Sequence, residues 1–491
     1  MSPDSDGVVF YDTMARAKRP FQPIEPGTVR MYVCGPTVYS DPHIGNLRSF
    51  IVGDLIRRWL EYRGYDVFMV MNITDIEDKT IRDSGKAGVP LREFTERYTA
   101  SFLRGLSLLN VRRATTYPRA TANIPDMIEF IKELLDKKVA YVAGDGVYFD
   151  IDKFHGYGRL SGVDLSKVRK TERVAKDEYE KEDVQDFALW KSVTPDEFKR
   201  GIYYESPWGR GRPGWHIECS VMSRRLLGDT LDIHAGGEDL VFPHHENEIA
   251  QSESVTGKQF VRYWMHVRHL MINGKKMSKS LGNYVSFDEV LAKYNPDAFR
   301  YFYLSTHYRR PLDYTDNAMK GAENSAARLE NTLDLVEATF KGPDTNLDYG
   351  EEEVRLLEEV KHHKNAFEAA MDDDLDSHTA LDSLHALSGA INGYIATQCD
   401  AEPALGANKG VLLKAYMPYR SLLDVLGLFE KRKGKEDELV EGLVKALIDL
   451  RNQLRAAKNY ALSDKVRDML SELGVILSDT GGKTTWKLKK T

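Results

Sequence analysis

Cysteine is scarce in this chain, which has three cysteines among 491 residues: Cys34, Cys219 and Cys399. An odd and sparse set of this kind does not build a disulfide framework. We therefore expect a reducing compartment, in which each cysteine is a buried apolar residue, a metal ligand or a nucleophile.

Long apolar runs are also missing. No stretch approaches the roughly 18 apolar residues of a membrane span. Residues 1–10 include Asp4 and Asp6 and lack the apolar run of a signal peptide. The sequence therefore predicts a cytoplasmic protein without a membrane partner.

An excess of positive charge is absent as well, since the formal net charge is −7. This argues weakly against a nucleic-acid partner, because nucleic-acid-binding domains are often basic. Only local basic patches could bind such a partner. The chain is 42% hydrophobic and 29% charged, which is typical of a globular protein, and its length predicts about two to four domains.

A strand, a helix and a second strand are predicted near the start of the chain. Val29–Val33 and Asp66–Asn72 have the composition of buried strands. Between them, His43–Arg63 carries apolar residues mostly three and four apart, the pattern of one helix face. Such a βαβ unit implies a parallel sheet with a right-handed crossover. Because ligands bind beyond the carboxyl ends of such strands, we expect Cys34 and Asn72–Asp75 to lie near the start of the helix.

The rest of the chain divides into further segments. Residues 115–207 look like an insertion, with a helix at Ile124–Lys138 and a hairpin at Ala140–Asp150. Sheet-like segments return at Leu231–His234 and near Trp264–Leu270. From about residue 318 the pattern is almost wholly helical, and a basic linker at 431–435 precedes a small final module.

A metal site is one interpretation of four residues that are far apart in the sequence. His244 and Glu248 are four apart on a predicted helix, so both can point at one ion. With the thiolates of Cys34 and Cys219 they form a borderline-soft donor set that suits zinc. The alternative is that both cysteines are packed core residues and that the His-His-Glu run merely begins a helix.

Two loops have features of phosphate-binding segments. His43-Ile44-Gly45-Asn46 enters a helix, whose first turn offers amide groups and a partial positive charge. The second loop, Asn273–Asn283, is rich in lysine, and its mobile ammonium groups could follow charge as a pyrophosphate leaves. Either loop alone is as readily an ordinary helix start or a solvated lysine loop. Both together, in this order, are far more specific.

The two loops resemble the signatures of class I aminoacyl-tRNA synthetases, with His43–Asn46 as the first and Lys276-Met277-Ser278-Lys279-Ser280 as the second. Further motifs resemble the cysteinyl-tRNA synthetase family specifically. They are Cys34–Tyr39, Asn72–Asp75, Pro118–Thr121, Pro213–Ser220, Phe242–Glu248 and Gly482–Trp486. The similarity covers nearly the whole chain.

This resemblance implies an α/β fold, with a Rossmann-like parallel-sheet catalytic domain that carries an insertion, a helical bundle and a small C-terminal module. The predicted catalytic domain covers residues 1–317. Within it, the insertion lies at 115–207 and a lysine-loop and stem-contact region lies at 270–317. The tRNA-binding bundle is predicted at 318–430 and the anticodon-recognition module at 431–491.

The resemblance also implies an activity: cysteine is activated with ATP and transferred to tRNA(Cys), by an enzyme expected to be a monomer. It assigns zinc to Cys34, Cys219, His244 and Glu248, and the substrate thiol would bind that zinc. Thr74, Trp215 and His234 would lie near the bound cysteine. His43, Gly45, Asn46, Lys276 and Lys279 would handle the phosphates of ATP, which Mg²⁺ accompanies.

Asn46 departs from the family pattern, in which this position is commonly histidine. Asparagine can donate a hydrogen bond to a phosphate but does not become cationic. A role that needs an imidazolium at this position is therefore in doubt, whereas a role as a neutral donor remains.

Recognition of tRNA is assigned to local positive charge in the C-terminal part. The basic residues are Lys431–Lys435, Arg451, Arg455, Lys458 and Lys487–Lys490. Trp486 could stack on an anticodon base or belong to the core of the small module. Cys399 matches no functional position of the family.

Two other functions compete with this one. A ligase that joins cysteine to an amino-sugar can share the catalytic domain, but it lacks the tRNA-reading C-terminal portion. A zinc-stabilised RNA-binding protein with a decayed active site is the second alternative. The intact lysine loop argues against it.

Overall fold

The computed structural model describes residues 7–164, 186–277, 283–341, 350–400, 406–430, 444, 447–472, 475–480 and 483–488. The predictions for Lys279 and for the basic linker Lys431–Lys435 fall outside these residues. Of Lys276 and Cys399 only the backbone is described.

A four-stranded parallel sheet forms the centre of the first part of the chain. Its strands lie in the order β10-β9-β3-β4, and all three pairs are parallel. Most residues of these four strands are buried, as is usual for strands of a parallel sheet. The bounds are Thr28–Val33 for β3, Asp66–Met71 for β4, Leu231–Gly237 for β9 and Val261–Val267 for β10. A hairpin of β1 (Val9–Asp12) and β2 (Ala17–Pro20) precedes this sheet in the chain.

Helix α1 (Ile44–Tyr62) connects β3 to β4 and packs on the sheet. Its contact with the sheet is close at Gly53, where an added Cβ would lie 3.3 Å from a methyl group of Val33. Leu47, Ile51 and Leu55 are buried on the sheet-facing side. The predicted βαβ unit is therefore confirmed, as is the parallel-sheet α/β fold class.

The insertion forms a separate antiparallel sheet in the order β5-β6-β7-β8. Its apolar core includes Phe149 and Phe187, whose rings stack with centroids 5.0 Å apart. The strands are β5 (Ala140–Ala143), β6 (Gly146–Phe149), β7 (Phe187–Ser192) and β8 (Gly211–Pro213). The last strand therefore lies beyond residue 207, where we predicted the insertion to end, because β8 pairs with β7 and not with the parallel sheet.

The segment predicted as one sheet-like stretch, Trp264–Leu270, belongs to two sheets. Strand β10 ends at Val267, and β11 (Leu270–Ile272) pairs with β12 (Lys275–Lys276) and with β13 (Leu312–Tyr314). The chain is held at this break by Arg48 of α1. Its buried guanidinium donates hydrogen bonds to four carbonyl oxygens, those of Arg268, His269, His307 and Arg310, at 2.8–3.3 Å.

Further helices alternate with these strands along the chain and continue after β13 into the helical region. They are α2 (Asp78–Ala87), α3 (Leu91–Leu108), α4 (Ile124–Asp136), α5 (Pro195–Lys199), α6 (Trp215–Leu227), α7 (Glu246–Thr256), α8 (Phe287–Leu291), α9 (Pro296–Leu304), α10 (Asp316–Lys341), α11 (Glu351–Asp372), α12 (Ser377–Asp400) and α13 (Lys409–Leu426). None of the helices in the described residues is long and apolar enough to cross a membrane.

The chain is divided into two compact units. The first holds residues 1–326, 367–381 and 425–427. The segment 367–381 joins it because Asp374 accepts hydrogen bonds from the backbone of Tyr11 at 2.8 Å and from the Tyr308 hydroxyl at 2.6 Å. The second unit holds residues 327–366, 382–424 and 428–491.

The second unit includes α14 (Tyr460–Glu472) and a hairpin of β14 (Val475–Thr480) and β15 (Lys483–Leu488). Val444, Ile448, Val466, Leu470 and Val475 form a small apolar core in this module. Trp486 packs against that core. This contact favours the interpretation of Trp486 as a core residue over its interpretation as a base-stacking residue. Arg451 is 2% exposed and donates to the Thr484 hydroxyl at 3.5 Å. It is therefore not a surface cation, contrary to the prediction.

A buried ion-pair cluster holds α1 to its neighbours in the first unit. Asp54 accepts hydrogen bonds from Arg58 at 2.6 Å, from Arg300 at 2.5 Å and from the backbone of Arg112 at 2.8 Å. Burial raises the pKa of Asp54, but Arg300 and Arg58 outweigh burial and hold it below the ordinary value.

We expect Asp54→Asn to destabilise the protein by about 3–5 kcal/mol, because it leaves two buried guanidinium groups without their carboxylate. Since the folded-state pKa lies below the ordinary value, the stabilisation is present above the ordinary carboxyl pKa and is lost as the pH falls through the folded-state pKa. Urea unfolding followed by tryptophan fluorescence measures both effects. As a control, Asp83→Asn breaks an exposed pair with Arg82 and should cost less than about 1 kcal/mol. Equal losses in the two variants would contradict the prediction.

Candidate functional site

Four potential metal ligands meet where β3 ends. Cys34 directly follows β3, and its backbone N–H donates to the carbonyl of Ala235 on β9 at 3.1 Å. Cys219 lies on α6, and Glu248 lies in the first turn of α7. His244 lies in the single π-helical turn, Val241–His245, that leads into α7. Three separate parts of the fold thus place these side chains at the carboxyl edge of the sheet.

The donor atoms of these four residues all lie within 4.8 Å of one another, and all four residues are buried. The Cys34 sulfur is 3.9 Å from the Cys219 sulfur and 3.9 Å from a Glu248 carboxylate oxygen. His244 Nε2 is 3.0 Å from the same Glu248 oxygen, Oε1. Two sulfurs, one imidazole nitrogen and one carboxylate oxygen, brought together in a buried site, fit the coordination chemistry of zinc.

The electrostatics of the cluster favour its anionic donors. Burial raises the pKa of Glu248, but His234 and His244 outweigh burial and lower it to about 2. Burial also raises the pKa of Cys219, but hydrogen bonds from Cys34 and His244 outweigh burial and lower it to about 6. Burial, with Cys219 beside it, raises the pKa of Cys34. The site therefore already holds a carboxylate and a thiolate against histidine rings.

A second set of possible ligands overlaps the first. Cys34, His234, His245 and Glu248 also bring four donor atoms within 4.8 Å. His245 Nε2 lies 3.3 Å from the Cys34 sulfur, and His234 Nε2 lies 3.0 Å from Glu248 Oε2. Burial lowers the pKa of His245 well below its ordinary value and that of His266 to about 3, so both rings are neutral. Our sequence reasoning missed His245, although it adjoins His244 in the His-His-Glu run.

The residues expected near the bound cysteine surround this cluster. Trp215 stacks on His244, with ring centroids 4.2 Å apart. The Thr74 hydroxyl donates to a carboxylate oxygen of Glu218 at 2.9 Å. Glu218 is fully buried one residue before Cys219, and no sequence pattern singled it out as a site residue.

The first phosphate loop is closed on itself. His43 is the N-cap of α1, and its Nδ1 accepts the backbone N–H groups of Gly45 at 3.1 Å and Asn46 at 3.2 Å. The Asn46 side-chain oxygen accepts the backbone N–H of His43 at 3.2 Å. The expectation that this helix start presents free amide groups is therefore wrong for these amides, because a capping box satisfies them. Since Nδ1 of His43 is an acceptor, Nε2 carries the proton of the neutral ring and is a donor.

The second loop is anchored against the first on both sides. Met277, at its start, places its terminal methyl group 2.6 Å from where a Cβ on Gly45 would lie. Tyr284, beyond the loop, contacts the His43 ring edge-on with centroids 5.4 Å apart. The backbone of Lys276 lies in β12. Met277 of the second signature thus contacts Gly45 of the first.

We expect Gly45→Ala to lower the rate of ATP-dependent cysteine activation about 10-fold, less than the roughly 100-fold cost of misplacing a reacting group by about 1 Å. The added methyl group would meet the terminal methyl of Met277 at 2.6 Å and His43 Nδ1 at 3.1 Å, so the Met277 side chain must turn away and the His43 ring must shift. Steady-state pyrophosphate exchange measures the effect. Gly88→Ala is a control with no neighbouring atom within 4 Å; its positive φ costs some stability, but its exchange rate should be normal. A normal rate in Gly45→Ala would show that the close contact is dispensable.

Comparison with known proteins agrees with this geometry. The family described as "tRNA synthetases class I (C) catalytic domain" matches residues 20–324, and the DALR domain matches residues 366–430. Among solved structures, methionyl-tRNA synthetase from Mycobacterium tuberculosis, in complex with methionyl-adenylate, superposes with a TM-score of 0.61 at 16% identity, covering 83% of this chain and 92% of that one. The fold and the paired signatures define a class I aminoacyl-tRNA synthetase.

Relatives over the full length narrow this class. The protein named "Cysteine--tRNA ligase" of Thermococcus onnurineus is 46% identical over 97% of this chain and 98% of its own. That of Methanosarcina mazei is 45% identical, covering 98% of both chains. The chain belongs to the cysteine--tRNA ligase family.

Proposed function

We propose that this chain activates cysteine with ATP and transfers it to tRNA(Cys), and that a zinc ion held by Cys34, Cys219, His244 and Glu248 recognises the cysteine thiol. The observation that carries the proposal is the group of four buried donors at the sheet edge, one of which, Cys34, lies between β3 and the His43 loop in the chain. A zinc ion bound there would lower the pKa of a substrate thiol and prefer the thiolate to the hydroxyl of serine.

The surrounding residues bind and orient the substrate. Trp215, stacked on His244, covers the donor cluster. Thr74, held by Glu218, is placed to contact the amino-acid moiety, and we assign His234 to the same pocket. The donor residues are buried, so a serine hydroxyl would lose its water on binding and gain a poor ligand. Discrimination of this type can be large enough to make an editing step unnecessary.

Activation is the attack of the cysteine carboxylate on the α-phosphate of ATP, which releases pyrophosphate. Positioning and charge stabilisation carry this step. His43 offers Nε2–H as a neutral donor, and Asn46 offers its side-chain N–H₂, because the capping box occupies their acceptor atoms. Gly45 lets Met277 of the second loop pack against the His43 loop, and Lys276 and Lys279 bind the leaving pyrophosphate. ATP enters with Mg²⁺.

Transfer RNA binding is assigned to residues 318–430 and 431–491, after a catalytic domain at 1–317. Within the final module, Arg455 and Lys458 have exposed side chains, which suits contact with phosphates. Arg451 is left out of this assignment because it is buried. We propose that the enzyme acts as a monomer.

The proposal is tested by pyrophosphate exchange and by aminoacylation of transcribed tRNA(Cys). Exchange should depend on cysteine and fail with serine, and the tRNA should be charged. Cysteine-dependent exchange without charging would favour the amino-sugar ligase, although the relatives reported above are cysteine--tRNA ligases over nearly their full length. Absence of exchange would favour the RNA-binding protein with a decayed site.

A further inference from the structure

A chain of hydrogen-bonding side chains leads away from Cys34 to the first hairpin of the protein. The Cys34 sulfur is 3.3 Å from His245 Nε2, and His245 Nδ1 is 2.8 Å from His266 Nε2. His266 Nδ1 is in turn 2.8 Å from the Thr13 hydroxyl. Neither Thr13 nor His266 belongs to the proposed zinc ligands or to the substrate pocket. The function described so far therefore gives no role to this series of hydrogen bonds.

The far end of this chain is held firmly by backbone contacts. The Thr13 backbone N–H donates to the Trp264 carbonyl on β10 at 2.9 Å, and the Trp264 N–H donates to the Asp12 carboxylate at 3.1 Å. His266 lies two residues further along β10, with its ring parallel to that of Trp264. The hydroxyl and the ring are therefore fixed relative to the sheet edge that carries Cys34.

The number of N–H groups on each imidazole ring determines which atom donates in each of these hydrogen bonds. Cysteine binds a metal as the thiolate, which only accepts hydrogen bonds. His245 must then donate from Nε2. A neutral imidazole has one N–H, so Nδ1 of His245 accepts from Nε2 of His266. By the same count Nδ1 of His266 is an acceptor, and the Thr13 hydroxyl donates to it.

We infer that Thr13 and His266 are positioning residues that fix the tautomer of His245, so that His245 donates a hydrogen bond to the Cys34 thiolate when zinc is bound. This inference rests on the proposed zinc site. Two thiolates and one carboxylate carry one negative charge more than a divalent ion neutralises, and the excess is buried. A donor at 3.3 Å from one sulfur offsets part of that charge, as outer partners of metal ligands commonly do.

The overlapping ligand set predicts the opposite direction. If His245 Nε2 bound the ion itself, its Nδ1–H would donate to His266, and Thr13 would accept the last hydrogen bond. The ion would then need His245 and not Cys219. The two arrangements therefore make different predictions: loss of Cys219 removes the metal in the first, and loss of His245 removes it in the second.

The test is zinc affinity, measured on the full chain by competition with a chromophoric chelator. Thr13→Val keeps the shape of the side chain and removes the donor, and we expect about 10–100-fold weaker binding of zinc. Thr13→Ser restores the donor and should restore the affinity. With cobalt in place of zinc, the thiolate-to-metal charge-transfer band should move to lower energy in Thr13→Val and return in Thr13→Ser, which a general packing defect would not produce.

His266→Phe provides a second variant, because it fills the space beside Trp264 and cannot donate. It should reproduce the weaker affinity and the shifted band. Unchanged affinity and an unchanged cobalt spectrum in Thr13→Val, in a wild-type protein that binds zinc, would overturn this inference and leave the proposed function standing. Zinc binding that survives Cys219→Ala but not His245→Ala would overturn the direction argued here. A wild-type protein that binds no zinc would contradict the proposed function and this inference with it.

Discussion

Cys219→Ala is expected to lose its bound zinc and to lower cysteine-dependent pyrophosphate exchange by more than about 100-fold. Even the loss of a hydrogen-bond partner of a metal ligand typically lowers metal affinity or activity by about 10–100-fold. The variant removes one of two soft donors from a cluster in which all four ligand atoms lie within 4.8 Å. It also removes the thiolate whose low pKa the neighbouring Cys34 and His244 maintain. Metal analysis of the purified protein and an exchange assay measure the two losses.

Cys399→Ala is the matched control, because Cys399 is the third cysteine of the chain and matches no functional position. Its zinc content and exchange rate should equal those of the wild type. A Cys219→Ala protein that keeps one zinc per chain and normal exchange would instead favour Cys34, His234, His245 and Glu248 as the ligands.

The central βαβ unit was predictable because its signals are local. Two apolar runs and one helical spacing gave strands at 29–33 and 66–72 and a helix at 43–63, and the structure places them at 28–33, 66–71 and 44–62. The rule that ligands bind beyond the carboxyl ends of parallel strands then brought Cys34 close to the His43 loop. The grouping of Cys219, His244 and Glu248 with Cys34 was one of two open interpretations until the family resemblance favoured it, since no spacing connects α6 and α7 to β3.

What the sequence did not predict depends on contacts between distant segments. The chain from Thr13 through His266 to His245 joins a hairpin, a strand and a helix start. Likewise, the division of Trp264–Leu270 between two sheets depends on Arg48, which bonds to carbonyl groups more than 200 residues away. Periodicity carries no information on such pairs, because it reports only which face of an element is buried.

The capping box gives position 46 a physical interpretation that the signature alone did not supply. The Asn46 oxygen accepts the His43 N–H, so only its amino group remains for a ligand. At the same time His43 is fixed with Nδ1 toward the helix. Asn46 thus stabilises the loop and keeps its amino group as a neutral donor. This is the role that remains for asparagine at a position where the family commonly has histidine.

The other large effect is expected at Lys279. Lys279→Ala should lower the rate of pyrophosphate exchange by about 10²–10³-fold, the usual cost of removing one group that stabilises transition-state charge. Lys279 lies in the sequence between Met277, which meets Gly45, and Tyr284, which meets His43. Both ends of its loop are therefore held against the first signature, and an ammonium group on a flexible stem between them can follow the leaving pyrophosphate.

The control is Lys275→Ala, which removes a lysine with an exposed side chain from β12 of the same hairpin. Its exchange rate should change little, because a solvated ammonium group outside the Lys276–Ser280 signature contributes only long-range charge that salt screens. In Lys279→Ala, zinc content and the affinity for cysteine should remain normal, since the metal donors come from β3, α6 and α7. Equal losses in the two variants would mean that the loop supplies general positive charge and that no single lysine binds the leaving group.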